Sequence, residues 1–171
     1  MLSIRLLLAA VFVPMLIEAR VAASNERTQF ARGGVEPAGD VYAIMRVAYP
    51  AVFIAMIAED LWRGAVVVPF AELIPGLVCF VLAKLLKWWA IFSLGDAWTF
   101  RVVVRPGAPL VASGPYRWLR HPNYVAVIGE LAGVALMSGA RITGPLGTLA
   151  FGALMFRRIV IEERALAASR R

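Results

Sequence analysis

The stretch VVVPFAELIPGLVCFVLAKLLKWWAI, residues 66–91, decides the class of fold. Its apolar run is longer than the about 20 residues that a helix needs to cross the hydrocarbon core of a bilayer. Lysine and tryptophan side chains close the run, and both are typical of the boundary between lipid and water. The stretch therefore predicts a membrane-spanning helix, with Pro69 and Pro75 in its first turns.

The composition of the whole chain agrees with this interpretation. Of 171 residues, 61% are hydrophobic, whereas soluble domains carry about half or less. The net charge of +7 would fit a nucleic-acid partner in a soluble protein, but here we interpret it as a topology signal and expect no nucleic acid. The single cysteine and single histidine exclude an internal disulfide and argue against a metal site.

Four further segments are apolar enough to be spans, so the sequence predicts an all-α, polytopic protein of about five helices in one domain, residues 1–171. The predicted spans are residues 2–17, 41–58, 66–91, 124–137 and 142–160. Only SGAR separates the last two, which predicts a C-terminal helical hairpin. Gly129 and Gly133 form a GxxxG pair that would allow close helix packing. Alternatively, the first segment is a cleaved signal peptide, since Val21 and Ala23 suit a cleavage site.

The basic residues predict the orientation of these spans. With five spans and the N-terminus outside, only Arg5, Arg63 and Arg141 of the 18 basic residues lie on the outer side. We therefore expect an integral protein of the bacterial inner (plasma) membrane with its C-terminus in the cytoplasm.

The connection between the third and fourth spans, residues 93–123, is too long for a structureless loop and is expected to be functional. WTFRVVV, residues 98–104, is β-branched and aromatic and predicts a short extended piece. GPYRWLRHPNY, residues 114–124, contains the chain's one histidine, two arginines and three aromatic side chains. It is either an interfacial anchor or a polar site where lipid meets water. We expect the connection to pack on the inner face of the helices.

A second polar cluster ends the last helix, in FRRIVIEERAL, residues 156–166. Arg158 and Glu162 are four residues apart and share one helix face. Near a helix C-terminus the dipole disfavours the negative charges of Glu162 and Glu163. The two acids therefore need a partner, which is either Arg158 in a plain ion pair or a bound ligand.

Taken together, LVASGPYRWLRHPNYVAVIGE (residues 110–130) and the arginine and Glu-Glu pair that follow resemble the isoprenylcysteine carboxyl methyltransferase family. Members are small integral-membrane enzymes that use S-adenosylmethionine. The resemblance covers residues 95–166. Residues 18–45 are similar to a bacterial branch that often accompanies type III polyketide synthases, and a synthase of that kind is a candidate functional partner.

The resemblance implies that S-adenosylmethionine is the methyl donor and that a carboxylate, or a phenol or enol oxygen of a lipophilic or lipidated substrate such as an alkylpyrone or alkylresorcinol, is the acceptor. Arg158 would face this acceptor, and His121 is a second catalytic candidate, as a base. The cofactor-binding residues implied are Leu110, Val111, Tyr116, His121, Pro122, Asn123, Tyr124 and Glu162.

The chemistry of the residues is compatible with this assignment. The chain lacks the Gly-rich turn between strand and helix that holds the cofactor in soluble methyltransferases, so side chains must bind it. A carboxylate such as Glu162 suits the ribose hydroxyls, and His121, Tyr116 or Arg120 suits the carboxylate of the donor.

Two other classes of function stay open from the sequence. One is a lipid amine N-methyltransferase. The other is a non-catalytic carrier or assembly subunit, because carriers place ionisable residues in the bilayer beside broken helices. For that class we take Glu72 and Glu130 as the only intramembrane acids.

Overall fold

The computed structural model of the protein describes residues 4–64 and 67–168, and these residues form five α-helices. The helices are α1 (Ile4–Ala31), α2 (Tyr42–Trp62), α3 (Phe70–Leu94), α4 (Pro122–Ser138) and α5 (Thr143–Ala168). Short 3-10 turns lie at Gly95–Ala97 and Gly114–Arg117. Within the described residues β-structure is limited to one isolated antiparallel bridge between Val35 and Val104, which places part of WTFRVVV in the predicted extended form.

The helices have the length and apolarity of membrane spans. Four of them qualify by both measures: α1, α2, α3 extended to Ala97, and α5. Helix α4 is apolar but has 17 residues, about 25 Å at 1.5 Å per residue, the lower limit for a span. The predicted polytopic all-α architecture, with a hairpin of α4 and α5 at its end, is confirmed.

One predicted helix end is wrong. Helix α1 does not end near Ile17 but continues to Ala31, because the polar residues of its second half make tertiary contacts. Asn25 Nδ2 donates to the carbonyls of Gly95 at 3.0 Å and Trp98 at 2.8 Å. Glu26 Oε1 accepts from the backbone amide of Phe100.

Helix α5 continues past the predicted span, which ends at Val160, to Ala168. Glu162 and Glu163 therefore lie in its last turns, as predicted for the polar cluster at residues 156–166. The predicted starts of the first and third spans, Leu2 and Val66, lie outside the described residues.

Four charged side chains lie together between the helices, and we call them the ion quartet: Glu18 of α1, Lys84 and Lys87 of α3, and Glu130 of α4. Lys84 is partly buried, and the other three are buried. Lys84 Nζ lies 3.1 Å from Glu18 Oε1 and 3.1 Å from Glu130 Oε2. Lys87 Nζ lies 2.7 Å from Glu18 Oε2 and 3.3 Å from Glu130 Oε1. The Tyr49 hydroxyl of α2 donates to Glu130. The quartet and this tyrosine therefore join four helices.

The expectation that Glu72 and Glu130 are the only intramembrane acids is wrong, because Glu18 and Glu59 are also buried within candidate spans. Glu59 accepts hydrogen bonds at the start of α5, from the Thr143 amide at 2.7 Å and the Thr143 hydroxyl at 2.6 Å. It therefore caps α5 and joins it to α2. Glu72 pairs with the exposed Arg141 at the same end of the helices.

The GxxxG pair of α4 lies against α3. A Cβ atom added at Gly129 would lie 2.8 Å from Ala83 Cβ, and one added at Gly133 would lie 2.8 Å from the backbone nitrogen of Phe80. Both contacts are closer than real Cβ atoms make, so the two backbones approach as the pair predicted. This close contact fixes the position of α4, whose first turn carries the candidate site.

The ion quartet generates a stability prediction. Lys87→Met should lower the free energy of unfolding by about 3–5 kcal/mol, because it leaves two buried carboxylates with too little positive charge. Arg32→Met is the matched control, since it removes a cation whose side chain is 50% exposed in its pair with Asp96, and it should cost about 0–1 kcal/mol. Equilibrium unfolding in detergent micelles measures both. Equal losses in the two variants would contradict the structural role of the quartet.

Candidate functional site

The start of α4 carries the predicted histidine, just before the helix, and the predicted tyrosine, in its first turn. Pro122 occupies the first position of the helix, where its missing N–H costs no helical hydrogen bond and its fixed φ favours initiation. His121 therefore lies just outside the helix, and Asn123 and Tyr124 lie in its first turn. The ring centroids of His121 and Tyr124 are 5.4 Å apart.

Tyr124 joins the start of α4 to the end of α5. Its hydroxyl donates to Glu162 Oε2 at 2.8 Å and accepts from Arg158 Nε at 2.9 Å. We call Tyr124, Arg158 and Glu162 the Tyr124 cluster. Arg158 and Glu162 are thus connected through a shared hydroxyl and not by the plain ion pair considered from the sequence.

The guanidinium of Arg158 lies in a buried, charged environment. Its side chain is 8% exposed, and Nη1 is 3.9 Å from Oδ1 of Asp40. Asp40 precedes α2 and was not predicted as a site residue. Its only local role is at the start of α2, where Oδ1 also accepts from the amide of Tyr42, the first residue of that helix, at 3.1 Å.

His121 has a carboxylate partner that its own segment did not reveal. Its Nε2 lies 3.3 Å from Oε1 of Glu163, and Arg120 Nη1 lies 3.4 Å from the same oxygen. A carboxylate beside an imidazole orients the ring. Sequence reasoning missed this pair because the two residues belong to different parts of the chain, the start of α4 and the end of α5.

Asn123 carries a buried acceptor beside the cluster. Its Oδ1 has no hydrogen-bond partner among the residues that the structure describes, although buried polar atoms are nearly always bonded. Tyr116, in the turn Gly114–Arg117, supplies a donor: burial and then the charge of Glu162 raise the pKa of its hydroxyl. This region of the protein therefore offers both an acceptor and a donor to a polar ligand.

The other predicted binding residues, Leu110, Val111 and Pro122, differ in their exposure. Pro122 is buried, Val111 is partly buried, and Leu110 is 52% exposed. The backbone contribution of Leu110 and Val111 stays a prediction.

A groove of about 420 Å³ lies between the turn before α2 and the outer side of α5. Its lining residues neighbour the site in sequence: Arg157 and Ile161 directly precede Arg158 and Glu162 of the Tyr124 cluster, and Gly39 directly precedes Asp40. The lining residues are Gly39, Phe156, Arg157, Val160, Ile161 and Arg164. Apolar walls with two arginines suit an amphiphile that has an acidic or polar head.

Comparison with known proteins identifies the family. The family model of isoprenylcysteine carboxyl methyltransferases matches residues 76–168, a range that contains α3 from Gly76 onward, the connection, α4 and α5. The chain belongs to the isoprenylcysteine carboxyl methyltransferase family. The resemblance found in the motifs is thereby confirmed, and the family implies a membrane methyltransferase in general.

Two relatives match along nearly their whole length, and both are uncharacterised proteins. An uncharacterised Bacillus subtilis protein, YpbQ, is 32% identical over 162 residues, covering 94% of this chain and 95% of the relative. An uncharacterised protein of Haemophilus influenzae is 23% identical over 167 residues, covering 97% and 96%. No solved structure gives a significant match.

Proposed function

We propose that the protein is an S-adenosylmethionine-dependent O-methyltransferase acting on a lipophilic acceptor at the membrane surface. Family membership supports methyl transfer in general. The observation that carries the specific proposal is the Tyr124 cluster, in which the first turn of α4 and the last turns of α5 place a tyrosine, an arginine and a carboxylate in contact.

The residues present fit the donor. The unpaired buried Oδ1 of Asn123 needs a hydrogen-bond donor such as an amine or hydroxyl. Glu162 would accept from the ribose hydroxyls, since one carboxylate accepts several hydrogen bonds. Tyr116 and His121 would donate to the carboxylate of the amino acid moiety. Leu110, Val111, Pro122 and Tyr124 would complete the walls.

When bound, the cofactor supplies an electrophilic methyl group on a sulfonium. The protein's contribution is to hold the acceptor oxygen in line and to exclude water, because such a displacement depends on positioning. Arg158 is suited to this role, since its buried guanidinium can bind an anionic oxygen through a planar set of donors. Tyr124 holds the Nε edge of that guanidinium in place.

The protonation state of the acceptor decides whether the site must also remove a proton. A carboxylate is already ionised at neutral pH. A phenol or enol must lose a proton, and the charge of Arg158 favours the resulting anion. His121, whose Nε2 lies beside Glu163, would then receive the proton on Nδ1, and in that case it would not also donate to the carboxylate of S-adenosylmethionine.

The groove beside α5 suits the lipophilic part of the acceptor. Phe156 and Val160 provide an apolar wall, and Arg157 and Arg164 provide positive charge beside it. We propose a phenol or pyrone lipid, supplied by a type III polyketide synthase, or a lipidated carboxylate as the acceptor. If a substrate assay showed methylation of an amine, the assignment as an O-methyltransferase would be wrong.

The carrier alternative receives no support from the buried acids. Glu130 is neutralised within the ion quartet, and Glu72 pairs with Arg141. Neither acid is therefore positioned as an ion site on a pathway.

The donor site generates a binding prediction. Glu162→Gln should weaken S-adenosylmethionine binding by about 1.5–3 kcal/mol, because a charged acceptor is lost. His121→Ala and Tyr116→Ala should also weaken it. Glu163→Gln is the matched control on the next residue of α5 and should have a smaller effect. Isothermal calorimetry on folded protein measures the affinities. Unchanged affinity in the Glu162 and His121 variants would refute the proposed donor site.

The location of the site generates a topology prediction. We propose that the C-terminus and the connection between α1 and α2 face the cytoplasm of a bacterial inner membrane, where the donor is made. Reporter fusions after Arg171 and after Gly33 should report cytoplasm, and a fusion after Arg63, between α2 and α3, should report the outer side. The same signal from the Gly33 and Arg63 fusions would contradict the orientation.

A further inference from the structure

We propose that Asp40 is a positioning residue that holds the Arg158 guanidinium in the orientation needed to bind the methyl acceptor. The role in catalysis rests on the proposed function. Asp40 lies outside the residues that match the family, 76–168, so the N-terminal part of this chain would contribute to the site.

The carboxylate of Asp40 is fixed by backbone groups. Its side chain is 3% exposed. Oδ2 accepts from the Val102 amide at 2.9 Å, and Oδ1 accepts from the Tyr42 amide at 3.1 Å. Two backbone donors from separate segments leave the carboxylate little freedom to turn.

Arg158 is consequently held on two sides. Nε donates to Tyr124 at 2.9 Å, and Nη1 lies 3.9 Å from Asp40 Oδ1. The second distance is that of an ion pair and not of a direct hydrogen bond. Because the guanidinium is planar, fixing Nε and attracting Nη1 sets the plane of the whole group. A buried arginine also needs a nearby negative charge.

The segment that carries Val102 is itself bonded to the chain before α2. Val35 and Val104 exchange two backbone hydrogen bonds of 2.9 Å. Arg101 Nη1 donates to Glu36 Oε2 at 2.9 Å, and this bond raises the pKa of Arg101. The extended piece 98–104 therefore provides a firm support for Asp40.

A simpler role for Asp40 is to cap α2 through the Tyr42 amide. A cap affects the stability of the helix and would leave the mobility of Arg158 and the chemistry unchanged. The two roles thus differ in what happens at Arg158, and that side chain is the one to observe.

The direct test is the hydrogen exchange of Arg158 Nε–H by ¹⁵N NMR in micelles, with the signal assigned by its loss in Arg158→Lys. Asp40→Asn and Asp40→Ser should each speed up this exchange, and Asp40→Ser keeps a short acceptor for the Tyr42 amide. Asp96→Asn, which removes an exposed carboxylate paired with Arg32, should not change it. Unchanged exchange in both Asp40 variants would overturn the proposal.

Kinetics provide the second measurement. Asp40→Asn should lower kcat by about 10²-fold, the loss typical of a misplaced catalytic group, while the affinity for S-adenosylmethionine stays unchanged. In the Arg158→Lys background the same substitution should cost much less, because Asp40 acts through the guanidinium. Independent, multiplying losses would overturn the positioning role. A wild-type protein without methyl transfer would refute the proposed function, and the exchange measurement would still decide the contact.

Discussion

The ion quartet is the constraint on which the rest of the structure depends. Ionised groups inside a bilayer are costly unless they are paired within the protein. Each lysine of the quartet, on α3, contacts both Glu18 of α1 and Glu130 of α4. Two positive and two negative charges therefore balance only when the three helices have one mutual register, and a sliding movement of any of them would separate charges in an apolar medium.

The quartet also determines where the candidate site lies. Glu130 is two turns after Asn123 on the same helix, so fixing Glu130 against α3 fixes the first turn of α4. Glu18 holds α1, whose second half bonds to the turn after α3 through Asn25. The connection that follows then reaches Asp40 through Val102. The polar site at one end of the helices is thus supported by the charges buried between them.

The sequence allowed prediction of the helices and of the part of the site that is local. Apolar runs and the SGAR connection predicted the five helices, and the motifs around His121, Tyr124 and Glu162 predicted the family and the residues of the cluster. The second half of α1 was missed because its polar residues resemble the end of a helix when their partners in the 95–101 segment are unknown. Asp40 and the pairing of His121 with Glu163 were missed because their partners lie on other elements, and no local spacing encodes such contacts.

Within the Tyr124 cluster, Arg158 is proposed to bind the methyl acceptor and Glu162 to bind the methyl donor. The variant Arg158→Ala separates these two roles. The measurement combines transfer of a labelled methyl group from S-adenosylmethionine to a lipid extract with calorimetry of donor binding, on wild-type and variant protein. The wild type should label a lipid, and the variant should bind the donor nearly as well and transfer almost no label. Arg158→Lys should restore part of the transfer, since it keeps the charge and loses the planar donor set. Equal losses of donor affinity in Arg158→Ala and Glu162→Gln would contradict the claim, because Arg158 would then serve only to hold the donor site.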